Sequence, residues 1–168
     1  TTWLPSFYHE VHGMSLPHAG FITGLMTFVG IFAVLLGGFG PARIGARKAF
    51  LIVPGIMVVI GGPGAFLFGN LGGIYASVIL LGIGSWLYVP SIFSMPMEMP
   101  DMTPEKVAIV WGFIITFAGL GAFLSPLLVG VLRDATGSFL PGFIICAVAA
   151  GALLVAGILM SKPASERP

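Results

Sequence analysis

Two long stretches without a charged residue constrain this chain more than any other feature. Residues 11–42 and 49–97 contain no Asp, Glu, Lys or Arg, and the short segment between them contains Arg43, Arg47 and Lys48. A helix that crosses about 30 Å of hydrocarbon needs roughly 20 apolar residues. A short basic turn between two apolar spans is typical of a cytoplasmic loop in a polytopic membrane protein.

The composition agrees with a membrane protein. The chain is 57% hydrophobic and 8% charged, with a mean hydropathy of +1.07, whereas soluble domains are about one quarter charged. A net charge of +1 argues against a nucleic-acid partner, because phosphate binding needs clustered excess cations. Cys146 is the single cysteine, so no disulfide within the chain is expected, and its apolar surroundings favour an inert thiol.

Five segments are long and apolar enough to cross a bilayer. They cover residues 19–39, 49–68, 74–93, 107–132 and 139–160. The uncharged stretch divides at the glycine-rich cluster of residues 69–73, which predicts a tight hairpin of two helices. The first residues lack an initiator Met and are typical of a helix end near Phe7 or Tyr8, so we interpret the chain as a fragment. The prediction is an all-α membrane protein in which residues 1–168 form one bundle of five full helices and the end of a sixth.

The Lys and Arg residues predict an orientation. With five crossings, one side of the membrane receives six of the seven cations, namely Arg43, Arg47, Lys48, Lys106, Lys162 and Arg167. The opposite side receives Arg133 alone. Because cytoplasmic loops are enriched in Lys and Arg, we expect the C-terminus in the cytoplasm and the N-terminal segment outside. The expected location is the plasma (inner) membrane, with membrane lipid as a partner.

Helix ends are also visible in the sequence. Thr103, Pro104 and Glu105 predict an N-cap followed by a proline and an acid in the first helical turn. Gly137 and Ser138 precede the last span. Four prolines inside the spans are expected to bend their helices because each removes a backbone hydrogen bond: Pro54, Pro63, Pro90 and Pro126.

The basic segment resembles the signature of the major facilitator superfamily. Its matching positions are, in order, Gly38, Arg43, Gly45, Arg47 and Lys48. In that family the signature lies between the second and third helices and recurs between the eighth and ninth. Ala42 stands where the family pattern has an acid. The resemblance implies a loop that latches one conformational state; the alternative is a plain topogenic loop that binds anionic lipid.

A second segment is similar to the glycine-proline motif of the family's fifth helix, whose repeated position is the eleventh. The matching residues, to which the resemblance assigns helix packing, are Gly112, Gly121, Pro126 and Gly130. The resemblance covers essentially the whole chain. It implies helices eight to twelve with the end of the seventh, as the C-terminal bundle of a major facilitator fold, and a missing N-terminal half of six helices as the partner.

The spans offer polar but uncharged candidates for a solute site. No Asp, Glu, Lys or Arg lies inside a predicted span, so the chain supplies neither a proton carrier nor a buried cation for an anionic solute. The resemblance implies a central cavity lined by helices eight, ten and eleven, which selects Thr23, Thr27, Trp86 and Thr116 as substrate-binding residues. Alternatively, the threonines bond to their own helix carbonyls and the tryptophan is packing.

The residues favour transport over other functions. The leading hypothesis is secondary active transport of a small solute, such as a small anion or organic acid, by alternating access. The alternatives are a non-transporting membrane scaffold, such as a truncated paralogue, and an intramembrane enzyme, for which no catalytic motif is visible. His9, Glu10, His12 and His18 match no standard metal-ligand spacing. We expect no metal and no cofactor.

Overall fold

The computed structural model describes residues 2–44 and 49–159, with the backbone alone for residues 40–44. This part of the chain contains helices and no strand. The α-helices are α1 (Leu4–His12), α2 (Leu16–Ile44), α3 (Ala49–Leu67), α4 (Leu71–Leu87), α5 (Val89–Ser94), α6 (Pro104–Thr136), α7 (Leu140–Ala150) and α8 (Ala152–Leu159). A 3-10 helix, Met95–Glu98, follows α5.

These elements form five units that are long and apolar enough to cross a membrane. The units are Leu16–Phe39, Ala49–Leu67, Leu71–Glu98, Pro104–Thr136 and Leu140–Leu159. The all-α membrane fold predicted from the sequence is therefore confirmed. Helix α1 is the short additional helix at the N-terminus. It continues to His12, beyond the predicted end near Tyr8, because Gly13, at φ 65°, provides the left-handed residue that ends it.

Local sequence signals determine most of the helix ends. The Asn70 side chain accepts a hydrogen bond from the Gly73 amide at 3.2 Å and caps α4 at the predicted hairpin turn. The Thr103 hydroxyl accepts a hydrogen bond from the Lys106 amide at 3.4 Å at the start of α6. Gly137, at φ 70°, ends α6. The turns predicted at these three places are confirmed.

The prolines inside the spans fall in two kinds of place. Pro54 and Pro63 lie within α3, and Pro126 lies within α6. Pro90 instead lies in the first turn of α5, where the third span is interrupted at Tyr88. The interruption follows from proline chemistry, because the ring has no amide hydrogen to donate to the preceding turn.

Helices α2, α3 and α4 pack closely through glycines, and we refer to them as the glycine-packed trio. A Cβ atom on Gly61 would lie 2.8 Å from the Ser77 carbonyl oxygen, and one on Gly82 would lie 2.6 Å from the Met26 carbonyl oxygen. Gly84 is similarly close to a carbonyl oxygen of α3. Without a side chain at these positions the helix backbones touch, which is the usual basis of helix association in a bilayer.

Helix α1 joins the trio to the last span. Tyr8 is fully buried, and its hydroxyl donates a 2.8 Å hydrogen bond to the Ala65 carbonyl oxygen near the end of α3. The Phe7 ring meets the Phe139 and Phe143 rings with centroid distances of 5.9 and 5.3 Å. The core of this end of the bundle is therefore built around α1.

Helix α6 is packed differently from the other spans. Of its residues, Val129 alone is buried. Near one end of α6, the Trp3 indole N–H donates a 2.8 Å hydrogen bond to the Pro126 carbonyl oxygen. Near the other end, the Trp111 indole N–H donates a 3.0 Å hydrogen bond to the Phe93 carbonyl oxygen. We call the first the Arg133 end of the bundle and the second the Arg43 end, after the basic residue found at each.

Candidate functional site

Two of the four predicted solute-binding residues meet in one cleft. Thr27 of α2 and Trp86 of α4 both line a cleft of about 260 Å³ between these helices. The other lining residues are Gly30, Ile31, Val34 and Leu35. We call this the α2–α4 cleft. Its wall is almost entirely apolar, and none of its lining residues is charged.

Gly30 shapes the α2–α4 cleft by admitting the tryptophan. A Cβ atom on Gly30 would overlap the five-membered ring of the Trp86 indole, so that ring lies directly on the α2 backbone. Trp86 is nevertheless 41% exposed, and Thr27 is exposed as well. Neither the Thr27 hydroxyl nor the Trp86 indole N–H makes a hydrogen bond to another described residue. Neither group is therefore engaged by another described residue.

Thr23 lies one helical turn before Thr27 but is already engaged. Its hydroxyl donates to the carbonyl oxygens of Ala19 and Gly20 at 3.1 and 3.0 Å, within its own helix. This is the alternative that the sequence left open for the threonines. Thr116 lies on an exposed part of α6 and does not line the α2–α4 cleft. Substrate contact by these two residues stays a prediction.

The residues assigned to helix packing behave in two ways. Gly130 lies 3.2 Å, measured from a Cβ atom placed on it, from the Trp3 ring, and the Pro126 carbonyl oxygen accepts the hydrogen bond from the same indole. A Cβ atom on Gly112 or Gly121 would have no described atom within 4 Å. Packing by Gly112 and Gly121 therefore stays a prediction, whereas Pro126 and Gly130 contact Trp3, the N-cap residue of α1.

Only part of the predicted conformational loop is described. Arg43 belongs to the last turn of α2, which continues to Ile44, so the helix extends into the segment interpreted as a loop. Gly38 faces open space among the described residues. The remaining residues assigned to this loop, Gly45, Arg47 and Lys48, lie outside the described residues. The latch function of the segment stays a prediction.

Sequence reasoning missed the glycines that bring α2 against the third span. A Cβ atom on Gly37 would overlap the Leu87 carbonyl oxygen and lie 3.3 Å from the Pro90 ring. Gly30 meets Trp86 in the same interface. The two glycines are seven residues apart, and residues at that spacing share one face of a helix. This seven-residue spacing of glycines is the sequence signal that could have predicted close packing of α2 against another helix.

The histidines are distributed among separate contacts. His9 Nδ1 lies 2.7 Å from the Met14 carbonyl oxygen, and His18 Nε2 lies 3.1 Å from the Tyr75 hydroxyl. No group of three His, Cys, Asp or Glu side chains that could hold a metal ion occurs in residues 2–39 and 49–159. The His18–Tyr75 contact joins α2 to α4, and the His9 contact joins α1 to the turn that follows it.

The chain is similar to transporters over most of its length. It is 29% identical to a probable sulfoacetate transporter, SauU, from Cupriavidus necator, over 95% of the chain and 37% of that protein. It is 25% identical to a probable nitrate/nitrite antiporter, NarK1, from Thermus thermophilus, over 82% and 34% of the two chains. It is 24% identical to a putative tartrate transporter from Agrobacterium vitis, over 99% and 36%. No family model matches the chain. No solved structure matches it.

These relatives confirm the resemblance to a transporter of the major facilitator superfamily that the motifs indicated. The chain spans about a third of the length of the curated relatives it matches. The five helices able to cross a membrane in residues 2–44 and 49–159, together with the short helix α1, agree with the C-terminal bundle expected from the resemblance. The relatives are transporters and not enzymes, and they support an integral membrane protein.

Proposed function

We propose that this chain is the C-terminal bundle of a secondary transporter that moves a small anion or organic acid across the inner membrane by alternating access. The observation that carries the proposal is the similarity of nearly the whole chain to transporters named for sulfoacetate, nitrate/nitrite and tartrate. These solutes are all small oxyanions. An N-terminal half of six helices is the proposed partner, and the two halves rock about a site between them.

The α2–α4 cleft is the proposed solute contact on this bundle. Binding sites for small molecules are concave and mostly apolar, with a few convergent polar groups. Thr27 and Trp86 carry the hydroxyl and the indole N–H among the residues of the cleft. We propose that these two groups turn toward the solute and donate hydrogen bonds to its carboxylate, sulfonate or nitrate oxygens. The cleft supplies no positive charge, so the proposal assigns charge neutralisation to the partner half.

The proposed orientation follows from the cations and the helix directions. Helix α2 runs from the Arg133 end to the Arg43 end, and the positive-inside rule assigns the Arg43 end to the cytoplasm. Arg43, Arg47 and Lys48 would then lie at the cytoplasmic mouth of the transporter. We propose that they contribute to a weak latch there, because Ala42 removes the acid that would hold them in place.

The test is uptake by the protein as the cell makes it, reconstituted in proteoliposomes, with radiolabelled tartrate, sulfoacetate and nitrate as probes. Trp86→Phe removes the indole N–H, and Thr27→Val removes the hydroxyl with little change of shape. Each change is expected to raise the KM for the transported probe by about tenfold, because one hydrogen bond to a charged solute oxygen is lost.

Trp111→Phe is the matched control for the tryptophan, since the Trp111 indole bonds to the Phe93 carbonyl oxygen and lies outside the cleft. Its KM should stay within about twofold of the natural value, because no solute hydrogen bond is removed. Unchanged KM values in both cleft variants would remove the cleft from the proposal. Absence of uptake for every probe would contradict anion transport and favour the scaffold hypothesis.

A further inference from the structure

The Arg133 end of the bundle contains an arginine held in an unusual setting. Arg133 is the one Lys or Arg of the described residues at this end, near the end of α6. Its Nη2 atom lies 2.6 Å from Oε2 of Glu10, in α1. Its guanidinium carbon lies 4.7 Å from the Phe139 ring centroid and 5.9 Å from the Trp3 ring centroid.

The two aromatic rings hold the guanidinium without using its hydrogen-bond donors. The rings contain no oxygen acceptor, and a guanidinium has five N–H donors, of which Glu10 accepts one. The described contact with Glu10 joins one nitrogen to one oxygen and is not the bidentate form. Donors therefore remain for a second acceptor, and a guanidinium fork is the protein group best shaped to bind a planar oxyanion.

Glu10 is a replaceable partner for this guanidinium. The Arg133 and Glu10 side chains are 33% and 44% exposed, and exchange of one carboxylate for another is inexpensive where water reaches the pair. A solute carboxylate or sulfonate would restore the same kind of charge-assisted bond that it displaces.

A polar-edged cavity adjoins the pair. It has a volume of about 360 Å³ and is lined in part by Glu10, His12, Ser138 and Phe139. His12 Nε2 is buried and has no hydrogen-bond partner among the described residues. A buried nitrogen without a hydrogen-bond partner lowers the stability of the folded protein. A bound anion in this cavity would lie beside Glu10, the residue that Arg133 contacts.

We propose that Arg133 recognises the anionic solute at this end of the transporter and that Glu10 is a built-in competitor occupying the guanidinium until the solute arrives. The proposal rests on the proposed function, anion transport, and adds an entry site separate from the α2–α4 cleft. Its ligand class is a small carboxylate or sulfonate. Phe139 and Trp3 keep the guanidinium oriented.

The first experiment compares three variants in the same reconstituted uptake assay, with tartrate and sulfoacetate applied from the side of the Arg133 end. Arg133→Gln is expected to raise KM by about tenfold or more, because a charge-assisted hydrogen bond is lost. Arg133→Lys should fall between Arg133→Gln and the natural protein, since it keeps the charge and loses the fork. Glu10→Gln should lower KM by about threefold, because the competing carboxylate is gone.

If the Glu10–Arg133 pair only joins α1 to α6, the variants should show a different pattern of KM values. Both Glu10→Gln and Arg133→Gln would then break the same contact, and both would change transport in the same direction with a matching loss of thermal stability. Changes of KM in the same direction in the two variants would overturn the proposal, and so would unchanged KM values.

A second measurement detects binding even where transport fails. Trp3 lies beside Arg133, so its fluorescence can report a ligand bound there. The variant for this measurement carries Trp86→Phe and Trp111→Phe, with phenylalanine also at each tryptophan of the proposed partner half. Titration with tartrate should give a saturable change in Trp3 fluorescence that is lost in Arg133→Gln. If the variant with the replaced tryptophans does not fold, the same comparison can be made by thermal unfolding. Tartrate should then stabilise the natural protein and should not stabilise Arg133→Gln.

The two proposals separate in these assays. Uptake that is indifferent to Glu10 and Arg133 overturns the entry site and leaves anion transport intact. Saturable, Arg133-dependent binding without uptake supports the entry site and contradicts transport. Absence of both uptake and binding overturns both proposals.

Discussion

The glycine-packed trio and α6 contain the same kind of sequence but have opposite surroundings. Both are apolar and rich in glycine. In the trio, a Cβ atom on Gly82 would lie 2.6 Å from a carbonyl oxygen of α2. In α6, a Cβ atom on Gly119 or Gly121 would have no described atom within 4 Å. A glycine in a membrane helix therefore signals close packing only when a neighbouring helix backbone is present.

The comparison also separates two ways of holding a helix. The helices of the trio touch through their backbones along their length, so the shapes of these helix surfaces set their relative positions. Helix α6 is joined toward its ends by the hydrogen bonds of Trp3 and Trp111 and by the Glu10–Arg133 pair. Gly142 of α7 adds one close contact, since a Cβ atom on it would lie 2.8 Å from the Val129 Cα atom. A helix attached mainly at its ends presents its middle as a surface, which in the proposed function faces the other half of the transporter.

The largest expected effect comes from adding a side chain to the trio. Gly82→Val should destabilise the protein by about 3 kcal/mol or more, because overpacking against a rigid backbone forces helix displacement. Thermal unfolding in detergent and the yield of monodisperse protein would measure it. Gly121→Val is the matched control when both variants are made in residues 1–168 alone, where no described atom faces Gly121, and it should change the unfolding free energy by less than about 1 kcal/mol. Equal losses in the two variants would mean that α6 is packed as closely as the trio.

A smaller effect is expected at the junction that α1 makes with α3. Tyr8→Phe removes the hydroxyl that bonds to the Ala65 carbonyl oxygen and leaves that buried acceptor without its partner. The expected loss of unfolding free energy is about 1–3 kcal/mol. Tyr75→Phe is the control, because its hydroxyl bonds to the part-buried His18 ring, where water can replace it. A larger loss for Tyr75→Phe would contradict this ranking.

The smallest effect tests whether α6 is held at its ends. Trp111→Phe should cost about 1 kcal/mol, since one hydrogen bond to the Phe93 carbonyl oxygen is lost while the ring contact is largely kept. Hydrogen exchange should accelerate at the Arg43 end of α6 and stay unchanged in α3 and α4. Trp86→Phe, whose indole N–H makes no described hydrogen bond, should leave exchange in α6 unchanged. Uniform acceleration across the bundle would contradict attachment at the ends.

Local chemistry made much of the fold predictable. Asn70 and Thr103 cap the helices that follow them, and their polar side chains marked these helix starts in the sequence. Gly137, which has no side chain, ends α6. These signals need no distant partner. The end of α1 was predicted too early, because the apolar pattern stops near Tyr8 while backbone bonding continues to the left-handed Gly13.

The candidate site was predictable only in part. Thr27 and Trp86 were selected by residue type and by the helices that the resemblance assigns to a cavity, and the structure places them in one cleft. Thr23 was selected by the same criteria, but its hydroxyl bonds to its own helix. A threonine hydroxyl can donate a hydrogen bond to a carbonyl of its own helix or to a group on a neighbouring helix. Which acceptor it uses depends on which groups lie within hydrogen-bond distance.

The sequence by itself determined the membrane-spanning helices, because about 20 uncharged apolar residues cannot leave backbone groups unpaired in hydrocarbon and must form helices. Tertiary structure alone decided which glycines pack, which hydroxyl is free and which acid meets Arg133. Tyr8 and Ala65 are 57 residues apart, and Glu10 and Arg133 are 123 residues apart. Contacts at such separations depend on the relative placement of whole helices, which side-chain shape fixes and local sequence pattern does not encode.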